Sequence, residues 1–158
     1  MVNLIRLKGS DVRLRPLKSR KRDFFRINPR VISKIGKTKL VRRGLIAKDA
    51  EPPADNPNHF VSKSLIAHWA KTRFEGRDIH VGFTVTIKTV SKRSSERNLV
   101  KRRMRAAVNE TIRDFDIGGH DFVFTAREAI KEASYSDIVS EFKRIFKFAE
   151  HRIREEKL

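Results

Sequence analysis

The chain contains no cysteine, which excludes disulfides, thiolate nucleophiles and thiolate metal sites and suits a reducing compartment. It also lacks long apolar runs. The stretches Leu65 to Ala67 and Phe122 to Phe124 are typical, far short of the roughly 18 residues that a membrane-spanning helix needs. Arg6 and Lys8 are not followed by an apolar segment, so no secretory signal is expected, and the cytoplasm is the expected location. The histidines, at 59, 68, 80, 120 and 151, have no spacing that suits a zinc site or a triad. Acids are scarce, and the only grouping that suggests a protein-borne magnesium site is Glu110, Asp114, Asp116, His120 and Asp121. Glu110 and Asp114 stand one helical turn apart and the others fall in a turn, where Asp caps or meets solvent. No metal ligands and no catalytic residues are therefore assigned to the protein.

Positive charge is what the sequence has in abundance. Among 158 residues, 37 Lys and Arg face 19 Asp and Glu, giving a formal charge of +18 and a pI near 10.9. This balance is foreign to an ordinary soluble enzyme and typical of a nucleic-acid binder. The excess is concentrated. Residues 1–48 hold 16 cations and 2 acids, residues 88–105 hold 8 and 1, and the rest of the chain is slightly acidic. A fold that brings those two segments to one side has a single basic face whose affinity for a phosphate backbone falls steeply with salt.

The sharpest motif is Arg97-Asn-Leu-Val-Lys-Arg-Arg-Met-Arg105, with five cations in nine residues and no acid. At about 100° per residue, Val100, Met104, Ala107, Val108 and Thr111 share one helical arc, and Asn98, Lys101, Arg102 and Arg105 share another. Like charges three and four apart oppose a helix unless a polyanion neutralises them. One arc is built to pack and the other to meet phosphate.

Around this helix the pattern predicts an α+β sandwich. A basic extension over 1–16 precedes a helix from Leu17 to about Asn28, stopped by Pro29, in which Phe24 and Phe25 lie among Arg20, Lys21, Arg22 and Arg26. One of these rings is expected inward and the other partly outward. Leu40, Val41, Leu45 and Ile46 predict a strand over Lys39 to Ala47, and the Pro-rich residues 51–58 predict a loop. Ser62 as N-cap, followed by Leu65, Ile66 and Trp69, predicts a short helix over Val61 to Arg73 inside an insertion spanning 51–78, with Trp69 anchoring it. Ile79 to Ile87 alternates cleanly, with Ile79, Val81, Phe83, Val85 and Ile87 on one face and Gly82, Thr84, Thr86 and Lys88 on the other. The second face offers a small residue, hydroxyls and a cation to a backbone or sugar lying across it. The basic helix runs to about Asp114, Asp121 to Arg127 is a buried strand, and Ser134 to Asp137 forms a capping box for a last helix of about four turns. The single RNA-binding domain thus spans 17–150, and 151–158 is the helix end.

The ordered set Val81-Gly-Phe-Thr-Val-Thr-Ile-Lys88, Glu96-Arg-Asn98, Lys101-Arg-Arg-Met-Arg105 and Asp121-Phe-Val-Phe-Thr-Ala-Arg127 resembles the protein component of bacterial ribonuclease P. Leu17-Lys18 through Asp23-Phe24 is similar to that family's first helix. The resemblance covers about Leu17 to Ala50 and His80 to Phe148. It implies a ribosomal-protein-like two-layer sandwich, with a small mixed four-stranded sheet, three main helices and a left-handed βαβ crossover. It further implies an endoribonuclease holoenzyme in which the RNA subunit, not the protein, performs Mg²⁺-dependent removal of the 5′ leader of precursor tRNA. The Mg²⁺ is bound mainly by RNA. The implied partners are the catalytic RNA and precursor tRNA, with neither DNA nor membrane. Arg97, Asn98, Lys101, Arg102 and Arg105 would contact the catalytic RNA, and Phe24, Thr84, Thr86 and Lys88 would hold the single-stranded leader.

The chain departs from the family pattern in four places. Leu99 replaces the second Arg of the hallmark, the loop before it is longer and lacks the usual Gly-Asn, Asn28 stands where a second aromatic is common, and 51–78 is expected outside the common core. A ribosomal or ribosome-assembly RNA-binding protein shares the charge pattern but does not require the strand and helix motifs together.

Overall fold

Alternating apolar residues and a helical apolar arc meet at one core in the computed structural model, which describes residues 12–17, 20–28, 34–44, 47–48 and 58–156. The strands are β1 (Leu14–Pro16), β2 (His59–Val61), β3 (Leu65–Lys71), β4 (Ile79–Thr84) and β5 (His120–Ala126). They form one mixed sheet in the order β1-β4-β5-β3-β2. The β1–β4 and β4–β5 pairs are parallel, and β5–β3 and β3–β2 are antiparallel.

One sheet face presents Leu65, Ala67 and Trp69 from β3, Ile79, Val81 and Phe83 from β4, and Phe122, Phe124 and Ala126 from β5, all buried in one cluster. Against it lie α3 (Ser94–Thr111) and α4 (Tyr135–Glu156). The α3 side chains in that cluster are Val100, Met104, Ala107 and Val108, the expected packing arc, and Thr111 is buried with them. Phe142 and Phe146 of α4 meet Phe124 edge to face, with ring centroids 4.9 and 5.8 Å away. Each such buried ring contributes roughly 1.5–3 kcal/mol relative to exposure. The capping box forms as expected. The Asp137 amide donates to Ser134 Oγ at 3.1 Å and the Ser134 amide to Asp137 Oδ2 at 3.3 Å. The helix it opens runs 22 residues, longer than the predicted four turns, because Ala149 and Ile153 continue its apolar stripe into the core.

The opposite face is covered beside Gly82 by α1 (Arg20–Ile27), whose Phe24 and Ile27 pack with Leu17 and Val123. A second short helix, α2 (Lys34–Arg42), follows. The β4–α3–β5 segment is a βαβ unit joining adjacent parallel strands.

Several expectations need correction. The sheet has five strands rather than four, because Val12, Leu14 and Leu17 are core residues and β1 forms within the segment read as a basic extension. Residues 34–42 are helical where a strand was expected from Lys39. The signal lies in Gly44, which sits at φ +69° and ends the helix with its amide donating to Val41 O at 3.0 Å. Leu45 and Ile46 lie outside the described residues, as do 1–11 and the Pro-rich 51–57.

The predicted helix over Val61 to Arg73 is instead the β2–β3 hairpin. Leu65, Ala67 and Trp69 are each 0% exposed at a period of two, and their side chains fill the sheet's main core. Ser62 caps no helix; its hydroxyl donates to Leu65 O at 3.0 Å and meets buried Glu141 at 2.7 Å, closing the turn. The segment expected outside the common core therefore supplies β3, the inner neighbour of β5, and Trp69 belongs to the main core rather than to a separate unit. Finally, β4 ends at Thr84, and Thr86, Ile87 and Lys88 lie in the loop beyond it.

Candidate nucleic-acid interface

The 18 residues of α3 are held in place by their apolar arc, which leaves the polar arc outward. Asn98, Arg102 and Arg105 are exposed and Lys101 is half-buried. No acid pairs with Arg102 or Arg105 among the described residues. Arg97 plays a different part. Its Nη1 donates to the carbonyl oxygens of Ser91 and Lys92, each at 2.9 Å, so it folds the 89–93 loop back onto the start of the helix. Leu99, at the position where the chain leaves the hallmark, is 48% exposed and contributes no polar group.

Between the polar arc of α3 and the end of β1 lies an open groove of about 530 Å³. Its walls include Pro16, Phe83 and Val108, and Lys101, Arg105 and Asn109 approach from α3. The Arg105 guanidinium stands 5.9 Å from the centre of the Phe83 ring. Arg15 completes the rim, its Nε donating to Asp78 at 2.7 Å. Sequence reading missed Asn109 and Arg15. Asn109 was within reach, standing one turn beyond Arg105 on the same arc, but Arg15 could only be placed once β1 was known to pair with β4.

The residues expected at the leader-holding cleft are only partly brought together. Phe24 is 6% exposed and cannot serve as an open stacking platform. Its ring occupies the space that a side chain at position 82 would fill, since a Cβ there would collide with Phe24 Cε1. The small residue that appeared to leave room for a ligand instead seats a core aromatic. Thr84 lies two residues further along the same face, half-buried, its hydroxyl without a hydrogen-bond partner among the described residues, and its register neighbour Thr125 on β5 is in the same condition. Thr86 is engaged in its own loop, where its hydroxyl contacts that of Thr89 and accepts from the Thr89 amide at 3.2 Å. Lys88 is exposed on that loop. No side-chain placement is described for Arg20, Lys21, Arg22 or Phe25.

Below α1 the cations are paired. Arg26 Nη2 donates to Asp121 Oδ2 at 2.6 Å, Arg73 Nε to Asp23 Oδ1 at 2.8 Å, and His80 Nδ1 lies 2.9 Å from Asp121 Oδ1. Both carboxylates are fully buried. These contacts fasten α1 to β4, β5 and the loop after β3.

The acids weighed for a metal site are dispersed. Glu110 accepts from the Tyr135 hydroxyl at 2.7 Å, a bond that, with burial and the Glu110 charge, raises the phenol above its usual pKa of 10.0. Asp116 pairs with Arg77 at 3.2 Å, Asp121 with Arg26, and His120 Nδ1 lies 3.1 Å from Gly118 O. Asp114 is exposed in a short turn of 3-10 helix. Among the described residues no three or more His, Asp or Glu side chains gather in a way that could hold a metal ion. No helix among them is long and apolar enough to cross a membrane.

The ribonuclease P family model matches residues 54–150, well over half of the chain. The chain is similar in structure to the ribonuclease P protein of Staphylococcus aureus, at 16% identity over 75% of this chain and 93% of that one, with a TM-score of 0.49. It is also similar to the ribonuclease P protein of Thermotoga maritima, at 18% identity over 68% and 92% of the two chains, again with a TM-score of 0.49. No curated protein sequence matches it.

Proposed function

Because the chain belongs to the ribonuclease P family as its protein component, we propose that it binds the catalytic RNA through the outward arc of α3 and supports Mg²⁺-dependent removal of the 5′ leader from precursor tRNA in the cytoplasm. The observation that carries this reading is the division of α3 into a buried apolar arc and an exposed arc of Asn98, Lys101, Arg102 and Arg105. Arg97 contributes by positioning the preceding loop. Cations spaced along one helix suit phosphates without regard to base sequence.

The leader lies over the sheet face beside α1. Lys88 offers a charge, Thr86 shapes the loop, Thr84 lies half-buried on the sheet face, and Phe24 forms the floor through its packing on Gly82 rather than stacking on a base. The chemistry belongs to the RNA. Its Mg²⁺ supplies the hydroxide and the charge stabilisation, and no residue of this chain is assigned as a ligand. The protein's part is electrostatic. Two polyanions, catalytic RNA and precursor tRNA, repel each other unless cations intervene, and fixed Lys and Arg replace part of the dissolved Mg²⁺.

Cleavage of precursor tRNA by the catalytic RNA, with and without the protein, tests this. A large rate gain at low Mg²⁺ that shrinks as Mg²⁺ rises is expected. No gain at any Mg²⁺ concentration overturns the reading.

A further inference from the structure

We infer that the groove between β1 and α3 receives one unstacked nucleotide of the RNA that lies on α3. This rests on the reading of α3 as an RNA-binding helix and adds to it a defined subsite.

A helix that only neutralises phosphates needs a flat cationic face, yet here the cations stand beside a hollow of about 530 Å³. That volume falls within the roughly 300–1,000 Å³ of small-molecule sites. Its chemistry is divided in the way a nucleotide is. Its apolar floor is the exposed Pro16 with the largely buried Phe83 and Val108 beside it, a surface that can pack against a base and gives a phosphate nothing. Lys101 and Arg105 stand on the α3 side, where a phosphate would lie.

Asn109 supplies the third part. It lines the groove, and among the described residues its Oδ1, which is shielded from solvent, has no hydrogen-bond partner. A buried acceptor left unmatched costs about 1–3 kcal/mol. The exocyclic amino group or ring N–H of a base is a donor of the kind this oxygen lacks. The groove reaches Leu17 and Gly82, where α1 packs, but Lys101, Arg105 and Asn109 all come to it from α3, and neither Thr84 nor Lys88 of the leader cleft lines it. An acidic peptide would satisfy the cations but leave the apolar floor without a planar occupant.

The test uses the full chain and NMR titrations with AMP and CMP, with ribose 5-phosphate, and with an oligo-glutamate peptide. The mononucleotides should shift the Asn109 side-chain amide and the Phe83 ring signals, whereas ribose 5-phosphate should leave both in place. Asn109→Leu should weaken mononucleotide binding roughly tenfold, and Asn109→Gln should restore part of it. Equal shifts from AMP and ribose 5-phosphate, shifts from the peptide alone, or wild-type affinity in Asn109→Leu would each overturn the inference. If the groove is silent while Arg102→Ala with Arg105→Ala still weakens binding of the catalytic RNA, the inference fails alone. If that double variant also binds as wild type, the RNA-face reading falls with it.

Discussion

Cations on the two sides of the sheet are used in opposite ways. Under α1, Arg26 and Arg73 meet Asp23 and Asp121, both carboxylates fully buried, with His80 completing the set. On α3, Arg102 and Arg105 are exposed, and no acid stands against them among the described residues. The first group holds one element to another, and its cost of desolvation is offset by short charge-assisted bonds. The second group ties no element to another through an acid and leaves a repulsive field that an outside anion relieves. Net charge alone does not separate the two uses; the separation comes from where the acids stand.

Variants can break this contrast or sharpen it. The largest effect is expected from Asp121→Ala, which leaves Arg26 and His80 without their shared partner. A loss of about 3 kcal/mol in denaturant unfolding is expected, at the low end for a buried pair because Arg26 keeps some access to water. A loss as small as that of a surface change would mean that α1 is held by its apolar contacts alone. Gly82→Val tests those contacts. The added side chain collides with Phe24 and should cost roughly 1–3 kcal/mol in thermal unfolding. Phe24→Ala in the same chain should relieve the collision, so that the double variant loses less than the sum of the two. Smallest in stability is Arg102→Ala with Arg105→Ala, expected within about 0.5 kcal/mol of wild type. Its effect should appear elsewhere, as a slope of log affinity against log salt flatter by about 2 for the catalytic RNA. A destabilised fold with an unchanged slope would reverse the roles of the two groups.

The parts that could be read from the sequence were those governed by local pattern. The five buried residues of α3 were placed by helical period, and the Ser134–Asp137 capping box by its spacing. The strand β5 was recognised from Phe122 to Phe124 and its flanks. Errors arose where two periods fit the same residues. Leu65, Ile66 and Trp69 suit a helix, but Leu65, Ala67 and Trp69 suit a strand equally well, and pairing with β5 decided for the strand. In the first of the two short helices, Phe24 was harder to place for a different reason. Whether an aromatic among cations is a platform or a core residue depends on what lies opposite, and its partner Gly82 is far away in the chain. Of the proposed RNA-contacting residues, Asn98, Lys101, Arg102 and Arg105 followed from periodicity. The groove beside them did not, since it required β1, a strand too short to show an alternation.

The strand order has a bearing on how the protein is made. The central strand β5 is the last of the five to leave the ribosome, and both of its neighbours, β4 and β3, precede it. The first strand, β1, must wait for Ile79 to emerge before Leu14 has a partner. Nearly all sheet pairing is thus deferred until most of the polypeptide has been synthesised, and only the β2–β3 hairpin can form early. During that interval Arg26 of α1 has no Asp121 to pair with, close to the RNA of the ribosome itself.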